Sequence, residues 1–184
     1  MAISTPICNF GWPAPDFSLQ GIDGQIWTPD RAKGLKGLVV MFLCNHCPYV
    51  QAIAQRLVKD VEKLHEIGVG AIGIMSNDTI RYPEDSFENM KGFAQAHAFG
   101  FPYVIDQSQE TARAYDAVCT PDFFGFNADL ALQYRGRLDS SGRNPAPPDA
   151  KRELYLAMKQ VAETGQGPQD QVPSMGCSIK WREA

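Results

Sequence analysis

The chain has 184 residues, of which 44% are hydrophobic and 21% charged, and its formal net charge is −4. This size and composition are typical of one globular domain. The acidic balance argues against the basic surface of a nucleic-acid-binding protein. The N-terminus lacks the charged start and apolar run of a secretory signal, and no segment reaches the about 18 apolar residues of a membrane span. We therefore expect a cytoplasmic protein without nucleic-acid or membrane partners.

Three kinds of pattern predict the secondary structure. Alternating segments around a turn predict hairpins, continuous apolar runs predict buried strands, and apolar residues spaced by three or four predict helices. The predicted elements are a hairpin at 16–19 and 25–28, a helical turn at 29–33, a strand at 37–44, a helix at 49–67, a strand at 69–75, a helix at 86–98, a strand at 101–106, a helical segment at 110–115, a hairpin at 122–126 and 130–134, and a helix capped by Asp149 and ending near 163.

This order of elements predicts an α/β fold. Strands that alternate with helices form a parallel core, and the late hairpin adds antiparallel strands, so the central sheet is mixed. No repeat or linker divides the chain, because the Gly- and Pro-rich stretch at 136–148 is typical of a loop. We predict one domain over residues 1–184, with an N-terminal extension over 1–36 and a C-terminal tail over 165–184.

Five cysteines are present, an odd number that does not suggest a disulfide framework. Cys44 and Cys47 are distinctive because they lie where the first buried strand meets the first long helix. A cysteine just before Pro48 stands at a helix N-terminus, where free N–H groups and the helix dipole stabilise a thiolate. His46 adds positive charge there when it is protonated. This context predicts redox use of the pair.

Two other interpretations of the pair stay open. Half of a zinc site would need a second pair of ligands, and neither Cys119, Cys177 nor the three histidines supply one at ligand spacing. We therefore expect no metal. The second alternative is a purely structural pair of cysteines.

Four segments together resemble a known family. They are residues 11–19 (Gly-Trp-Pro-Ala-Pro-Asp-Phe-Ser-Leu), 44–50 (Cys-Asn-His-Cys-Pro-Tyr-Val), 119–122 (Cys-Thr-Pro-Asp) and 176–181 (Gly-Cys-Ser-Ile-Lys-Trp). They resemble the alkyl hydroperoxide reductase/thiol-specific antioxidant group, the peroxiredoxin-like (redoxin) branch of the thioredoxin superfamily. The resemblance implies a thioredoxin-like fold of three layers, α/β/α, with an N-terminal β-hairpin extension. It also implies antioxidant or redox-homeostasis activity.

The resemblance further implies how the site is built. Thr120-Pro121 falls where the fold carries a cis-proline facing the reactive cysteine, and the Thr120 backbone would bind a partner chain by strand-like hydrogen bonds. The implied partners are a protein or small-molecule disulfide, or a peroxide, and a reductant of the thioredoxin or glutathione type. No cofactor beyond the cysteines is expected.

The sequence departs from both parent patterns. Aligned on strand and helix, Cys47 takes the nucleophile position, and Val50 stands where thioredoxin has its second cysteine. Cys44 falls at the end of the strand and is the expected resolving thiol. It also stands where peroxiredoxins carry a Thr or Ser hydroxyl, which argues against efficient peroxide reduction. Arg135 and Arg137 would either approach the site from the late hairpin or be solvated.

Three functions follow from these residues. The first is a thiol-disulfide oxidoreductase in which the Cys47 thiolate attacks and Cys44 resolves. The second is a thiol peroxidase of peroxiredoxin type, and the third is a non-catalytic thioredoxin-like binding module. Cys119 and Cys177 are possible resolving thiols, with structural packing as the alternative for each. Asn77 follows the second buried strand and either lines the site or shapes a turn.

Overall fold

The computed structural model describes residues 1–183. The elements are β1 (Ala2–Ser4), β2 (Leu19–Gly21), β3 (Ile26–Trp27), α1 (Pro29–Ala32), β4 (Gly37–Phe42), α2 (Pro48–Glu66), β5 (Val69–Met75), a short 3₁₀ helix (Pro83–Asp85), α3 (Phe87–Ala96), β6 (Tyr103–Ile105), α4 (Glu110–Ala114), β7 (Cys119–Thr120), β8 (Asp122–Asn127), β9 (Leu132–Arg135), α5 (Glu153–Thr164) and β10 (Met175–Ser178). The α/β architecture predicted from the sequence is confirmed.

A seven-stranded sheet forms the centre, in the order β3-β2-β6-β5-β4-β8-β9. β4, β5 and β6 run parallel to one another, and the two hairpins add antiparallel strands at the two edges. Helices cover both faces, so β4 and β5 are buried along their whole length. This burial explains why both strands are continuously apolar in sequence.

The side chains of β4 show the three layers directly. Val39 and Met41 enter one hydrophobic cluster, which contains most of the buried residues of α2, α3 and α5. Val40 and Phe42 enter a second cluster on the opposite face, with Ala112 of α4 among its members. Successive strand residues point to opposite faces, so one strand contributes to both cores.

A second sheet of three strands, in the order β1-β10-β7, was not predicted. β1 and β10 have only three and four residues and no clear alternation of apolar and polar side chains. Their pairing joins the two ends of the chain, with Ile3 opposite Gly176. Such a contact between distant, short segments leaves no local pattern in the sequence.

The start of the last helix was predicted wrongly. Asp149 does not cap it, because α5 begins at Glu153 and Arg152 occupies the N-cap position. The backbone of Ala150 instead donates to the carbonyl of Pro147, which forms a turn, and Leu154 donates to the carbonyl of Leu138. Within residues 1–183, the helices lack the combination of length and apolar character that a membrane crossing requires.

Candidate active site

The two central cysteines lie in the short connection between β4 and α2. Cys47 is the N-cap residue of α2, with φ −71° and ψ 122°, and Pro48 occupies the first helical turn. Proline suits this position because its missing N–H would have no partner inside the helix. Cys44 and Cys47 are both buried and belong to the same hydrophobic cluster. The predicted junction of strand, cysteine pair and helix is therefore present.

Hydrogen bonds connect the two cysteines to Thr120. The Cys44 Sγ lies 3.2 Å from the Thr120 hydroxyl oxygen, and the Cys47 thiol donates to the Thr120 carbonyl at 3.2 Å. When Cys47 is ionised, the Cys44 thiol donates to it and the Thr120 hydroxyl donates to Cys44. The Thr120 hydroxyl, the Cys44 thiol and the Cys47 sulfur thus form a chain of hydrogen bonds that stabilises the Cys47 thiolate.

The two sulfurs have opposite acidities. The hydrogen bond from Cys44 lowers the pKa of Cys47 to about 4, aided by a hydrogen bond from the Cys177 thiol and by the Cys177 and Val50 backbone amides, although burial opposes the shift. The pKa of Cys44 is raised well above its usual value by its hydrogen bond to Cys47, by burial and by the charge of Asp85. Cys47 is therefore the thiol of the pair that ionises more easily, and Cys44 is the one that keeps its proton.

The peptide bond between Thr120 and Pro121 is cis, as the resemblance implied. The resemblance also implied that the Thr120 backbone binds a partner chain by strand-like hydrogen bonds. β10 already pairs with β7, with Cys177 opposite Thr120 and Ser178 opposite Cys119. This prediction is wrong for the conformation described here, because the strand-like pairing with Thr120 is made by the protein's own C-terminal strand, β10.

Asp85 is a site residue that the sequence did not reveal. Its carboxylate is completely buried and accepts hydrogen bonds from the backbone N–H groups of Asn45 at 2.8 Å and of His46 at 3.3 Å. The Asn77 side chain donates to it at 2.8 Å, and its Oδ2 lies 2.7 Å from the His46 Nδ1. The His46 ring also stacks on Tyr82, with 5.6 Å between ring centroids. Asp85 therefore fixes the two residues between the cysteines.

Asp85 escaped detection because it lies in a polar loop with no spacing relation to residues 44–48. Asn77, which was predicted either to line the site or to shape a turn, does contact this network and also accepts from the Lys180 backbone at 2.9 Å. The Asn45 side chain accepts from the buried Tyr103 hydroxyl at 3.0 Å and donates to the Glu84 carbonyl at 3.0 Å. Every side chain between the cysteines is thus held by a distant element.

Cys44, His46 and Asp85 also offer possible metal ligands, since their donor atoms lie within 4.8 Å of one another. Both carboxylate oxygens of Asp85 already accept hydrogen bonds, however. A metal ion would have to displace bonds that hold residues 45 and 46 in place. The cluster is explained by the hydrogen-bond network without a metal.

Replacing Asp85 with asparagine should test its electrostatic role. The change removes a negative charge that raises the pKa of Cys44, so that pKa should fall and Cys44 should become reactive at lower pH. The side-chain amide of the new asparagine also places an N–H₂ group opposite hydrogen-bond donors that faced the carboxylate. Leaving these donors without an acceptor should cost about 1–3 kcal/mol of unfolding free energy. The pH profile of Cys44 alkylation and urea unfolding measure the two effects. An unchanged profile in a folded variant would contradict the assignment.

The other predicted residues take different positions. Cys177 lies on β10 opposite Thr120, and its pKa is raised to about 11 by burial and by the neighbouring Cys47. Cys119 is buried, its thiol faces the Pro121 carbonyl, and burial raises its pKa. Arg135 and Arg137 pair with Asp122 and Glu153 respectively. Within residues 1–183, neither guanidinium forms a hydrogen bond with Cys44 or Cys47.

A cavity of about 550 Å³ opens beside the cis-proline. Its wall includes Pro121, Tyr49 of the first turn of α2, and Met175 of β10. The guanidinium of Arg143 lies 5.0 Å from the centroid of the Tyr49 ring, on the same wall. The cavity adjoins the loop that contacts Cys47 and carries a positive charge at its rim.

Comparisons with known proteins agree with this geometry. A solved structure from Geobacillus kaustophilus, described as an uncharacterized conserved protein, is 41% identical with a TM-score of 0.93, covering 100% of this chain and 98% of that one. A hypothetical protein from Sinorhizobium meliloti is 34% identical, with a TM-score of 0.91 and 98% coverage of both chains. A search of curated protein sequences found no match.

More distant structures share the fold. A secreted disulfide oxidoreductase from Mycobacterium tuberculosis has a TM-score of 0.59 at 19% identity, covering 78% of this chain and 94% of that one. Peroxidoxin BcpB from the same organism has a TM-score of 0.56 at 16% identity, with 69% and 83% coverage. The AhpC/TSA family model matches residues 10–136. The chain has a thioredoxin-like fold and belongs to the AhpC/TSA family.

Proposed function

We propose that the protein is a thiol-disulfide oxidoreductase in which Cys47 exchanges with substrate disulfides and Cys44 closes the internal disulfide. The observation that carries this proposal is the cysteine pair itself, whose two sulfurs each lie 3.2 Å from an oxygen of Thr120. One thiol has its pKa lowered to about 4 and the other has its pKa raised, at the N-terminus of one helix. A nucleophile with a protonated neighbour is what two-step disulfide exchange requires.

The proposed reaction has two steps. The Cys47 thiolate attacks one sulfur of a substrate disulfide, forms a mixed disulfide and expels the second substrate thiolate. Cys44 then loses its proton, attacks the Cys47 sulfur and releases the first substrate thiolate. The substrate gains two electrons, and the protein is left with a Cys44–Cys47 disulfide. Each step is reversible, so the oxidised protein can also pass its disulfide to a dithiol.

Peroxide reduction is the alternative that the family suggests. Attack on a peroxide is helped by a hydroxyl or arginine that polarises it. Arg135 and Arg137 are committed to carboxylates, and Cys44 replaces the expected hydroxyl residue. The buried charge of Asp85 acts on Cys44. These features favour disulfide exchange over peroxide chemistry.

The cavity beside Pro121 supports a small disulfide as substrate. It adjoins the Cys47 loop, and Arg143 at its rim suits a substrate that bears carboxylates. A reductant of the thioredoxin or glutathione type, present in the cytoplasm, belongs to the same proposal. No cofactor other than the cysteines is required by this reaction.

The test is exchange of the reduced protein with oxidised glutathione, quenched in acid and mapped by peptide mass. We expect the wild type and Cys8→Ser, a matched change at a cysteine in the opposite core, to form an internal disulfide that contains Cys47. Cys47→Ser should react no faster than an ordinary thiol. Wild-type exchange in Cys47→Ser would sink the proposal, and rapid selective sulfenic acid formation with stoichiometric peroxide would favour the peroxidase.

A further inference from the structure

The C-terminal strand β10 occupies the backbone edge next to the reactive sulfur. Its residue Cys177 stands directly opposite Thr120, whose carbonyl contacts the Cys47 sulfur at 3.2 Å. Extended polypeptides bind proteins by adding a strand to an exposed edge in this manner. In this chain the added strand is part of the same molecule, and it carries a cysteine at the position nearest the nucleophile.

Cys177 packs against the hydrophobic cluster that contains Cys47. Hydrogen bonding from the Cys177 side chain and backbone lowers the pKa of Cys47, and the neighbouring Cys47 helps to raise the pKa of Cys177. β10 also packs against α2, the helix that Cys47 caps. Cys177 and Cys8 are both half-buried, but Cys8 packs against the core on the opposite face of the sheet. A cysteine held on a bound strand against the nucleophile has the arrangement of a substrate cysteine.

We propose that β10 is an internal substrate strand and that Cys177 is a second redox partner of Cys47. This inference rests on the proposed exchange at Cys47. Once Cys47 carries a substrate sulfur, its charge is gone, so a cause that raises the pKa of Cys177 disappears. The Cys177 thiolate attacks the Cys47 sulfur and forms a Cys47–Cys177 disulfide. The substrate thiolate is expelled and takes up the proton that Cys177 lost.

A second route needs no external disulfide. In the oxidised protein the Cys177 thiolate attacks the Cys47 sulfur of the Cys44–Cys47 bond, and Cys44 leaves with the proton that Cys177 gave up. No electrons enter or leave in this rearrangement. The disulfide is thereby moved from the buried strand side of the site to the half-buried β10.

The experiment uses Cys44→Ser, in which Cys44 cannot resolve. Treated with excess oxidised glutathione and quenched in acid, this variant should yield a Cys47–Cys177 disulfide without bound glutathione. Cys44→Ser/Cys177→Ala should instead keep glutathione on Cys47, whereas Cys44→Ser/Cys8→Ser should behave as Cys44→Ser. A stable glutathione adduct on Cys47 of Cys44→Ser, with Cys177 still reduced, would overturn the inference. Failure of Cys47 to react in the wild type would instead overturn the proposed function.

A backbone variant tests the strand without touching a sulfur. A methyl group added at Gly176 would overlap the Thr120 carbonyl oxygen, so Gly176→Ala should push β10 away from β7. The control is Gly100→Ala, where the added carbon meets nothing within 4 Å. Combined with Cys44→Ser, Gly176→Ala should suppress the Cys47–Cys177 disulfide and accelerate alkylation of Cys47 several-fold. Undiminished Cys47–Cys177 formation in this variant would contradict the role of the strand.

Discussion

Titration of the reduced protein is expected to show one cysteine thiolate that is lost only as the pH falls through about 4. The thiolate absorbs in the ultraviolet, so the difference between wild type and Cys47→Ser isolates Cys47 even though the residue is buried. Cys177→Ala should shift the transition to higher pH, because it removes the Cys177 side-chain hydrogen bond that lowers this pKa, while the backbone N–H of residue 177 remains. A transition of Cys47 near 9 would contradict the assignment of the nucleophile.

The same acidity determines how the stability of the reduced protein depends on pH. The pKa of Cys47 is about 4 in the folded chain and close to its ordinary value of 9.0 in the unfolded chain. The ionised thiol therefore stabilises the folded form fully above pH 9, and this contribution is lost as the pH falls towards 4. Reduced wild type should lose stability over that interval relative to Cys47→Ser, as measured by urea unfolding.

A low pKa also sets the direction of exchange. A thiolate of pKa near 4 is a good leaving group and stabilises the dithiol form. We expect the Cys44–Cys47 couple to lie closer to the about −120 mV of DsbA than to the about −270 mV of thioredoxin. Equilibration with glutathione buffers measures this, and Cys177→Ala should make the couple more reducing. A wild-type potential at the thioredoxin value would contradict the argument.

The largest loss of stability is expected for Arg135→Met. The Arg135 guanidinium bonds to Asp122 at 3.0 Å and to the Asp116 carbonyl at 2.7 Å, and the Asp122 side chain is completely buried. Its removal leaves a buried carboxylate without its cation, which costs about 3–5 kcal/mol of unfolding free energy. Urea unfolding measures this cost. Since Asp122 follows Pro121 directly, the loop that contacts Cys47 should loosen as well.

The stability lost in Arg135→Met should depend on pH, because Asp122 changes its charge near neutrality. Burial raises the pKa of Asp122 to about 6 even though Arg135 opposes the shift. A carboxyl whose pKa is raised on folding favours the folded state below its unfolded pKa, and this advantage is lost as the pH rises through about 6. Without Arg135 the pKa should rise further, so the cost of the variant should grow from pH 6 to pH 8.

Two controls bracket the Arg135 variant. Lys91→Met breaks an exposed pair with Glu88 on α3 and should change the unfolding free energy by less than about 1 kcal/mol. Arg135→Met/Asp122→Leu removes both buried charges and should recover much of the loss. If Arg135→Met proved as stable as Lys91→Met, the buried pair would not contribute to the unfolding free energy as expected.

The sequence predicted the parts of this fold that local patterns encode. β5 was placed at its observed bounds, and α2 began and ended within one residue of its prediction, because Pro48 and Gly68 mark its limits. Helix caps that depend on tertiary hydrogen bonds were less predictable. Asp149 has the residue type of a cap, but the turn at Pro147 keeps it outside α5.

The candidate site also contains features that local sequence predicts and others that depend on tertiary packing. The position of Cys47 at the N-terminus of α2 was predictable from the sequence, and this position favours a thiolate. The contributions of Asp85 and Cys177 were not, since they depend on the packing of segments about 40 and 130 residues away in the chain. The role of Asn77 was foreseen only as one of two options. Proximity across the fold, rather than residue type, identifies these groups.

The sheet that joins β1, β10 and β7 has a consequence for biosynthesis. Ribosomes release the chain from its N-terminus, and local contacts form before distant ones. The central sheet and α2 are complete in sequence by residue 135, whereas β10 begins only at Met175. A nascent chain therefore holds Cys47 beside Thr120 before the covering strand is made. Until β10 pairs with β7, we expect the Cys47 sulfur to be more accessible to oxidants and to neighbouring polypeptides than in the complete fold.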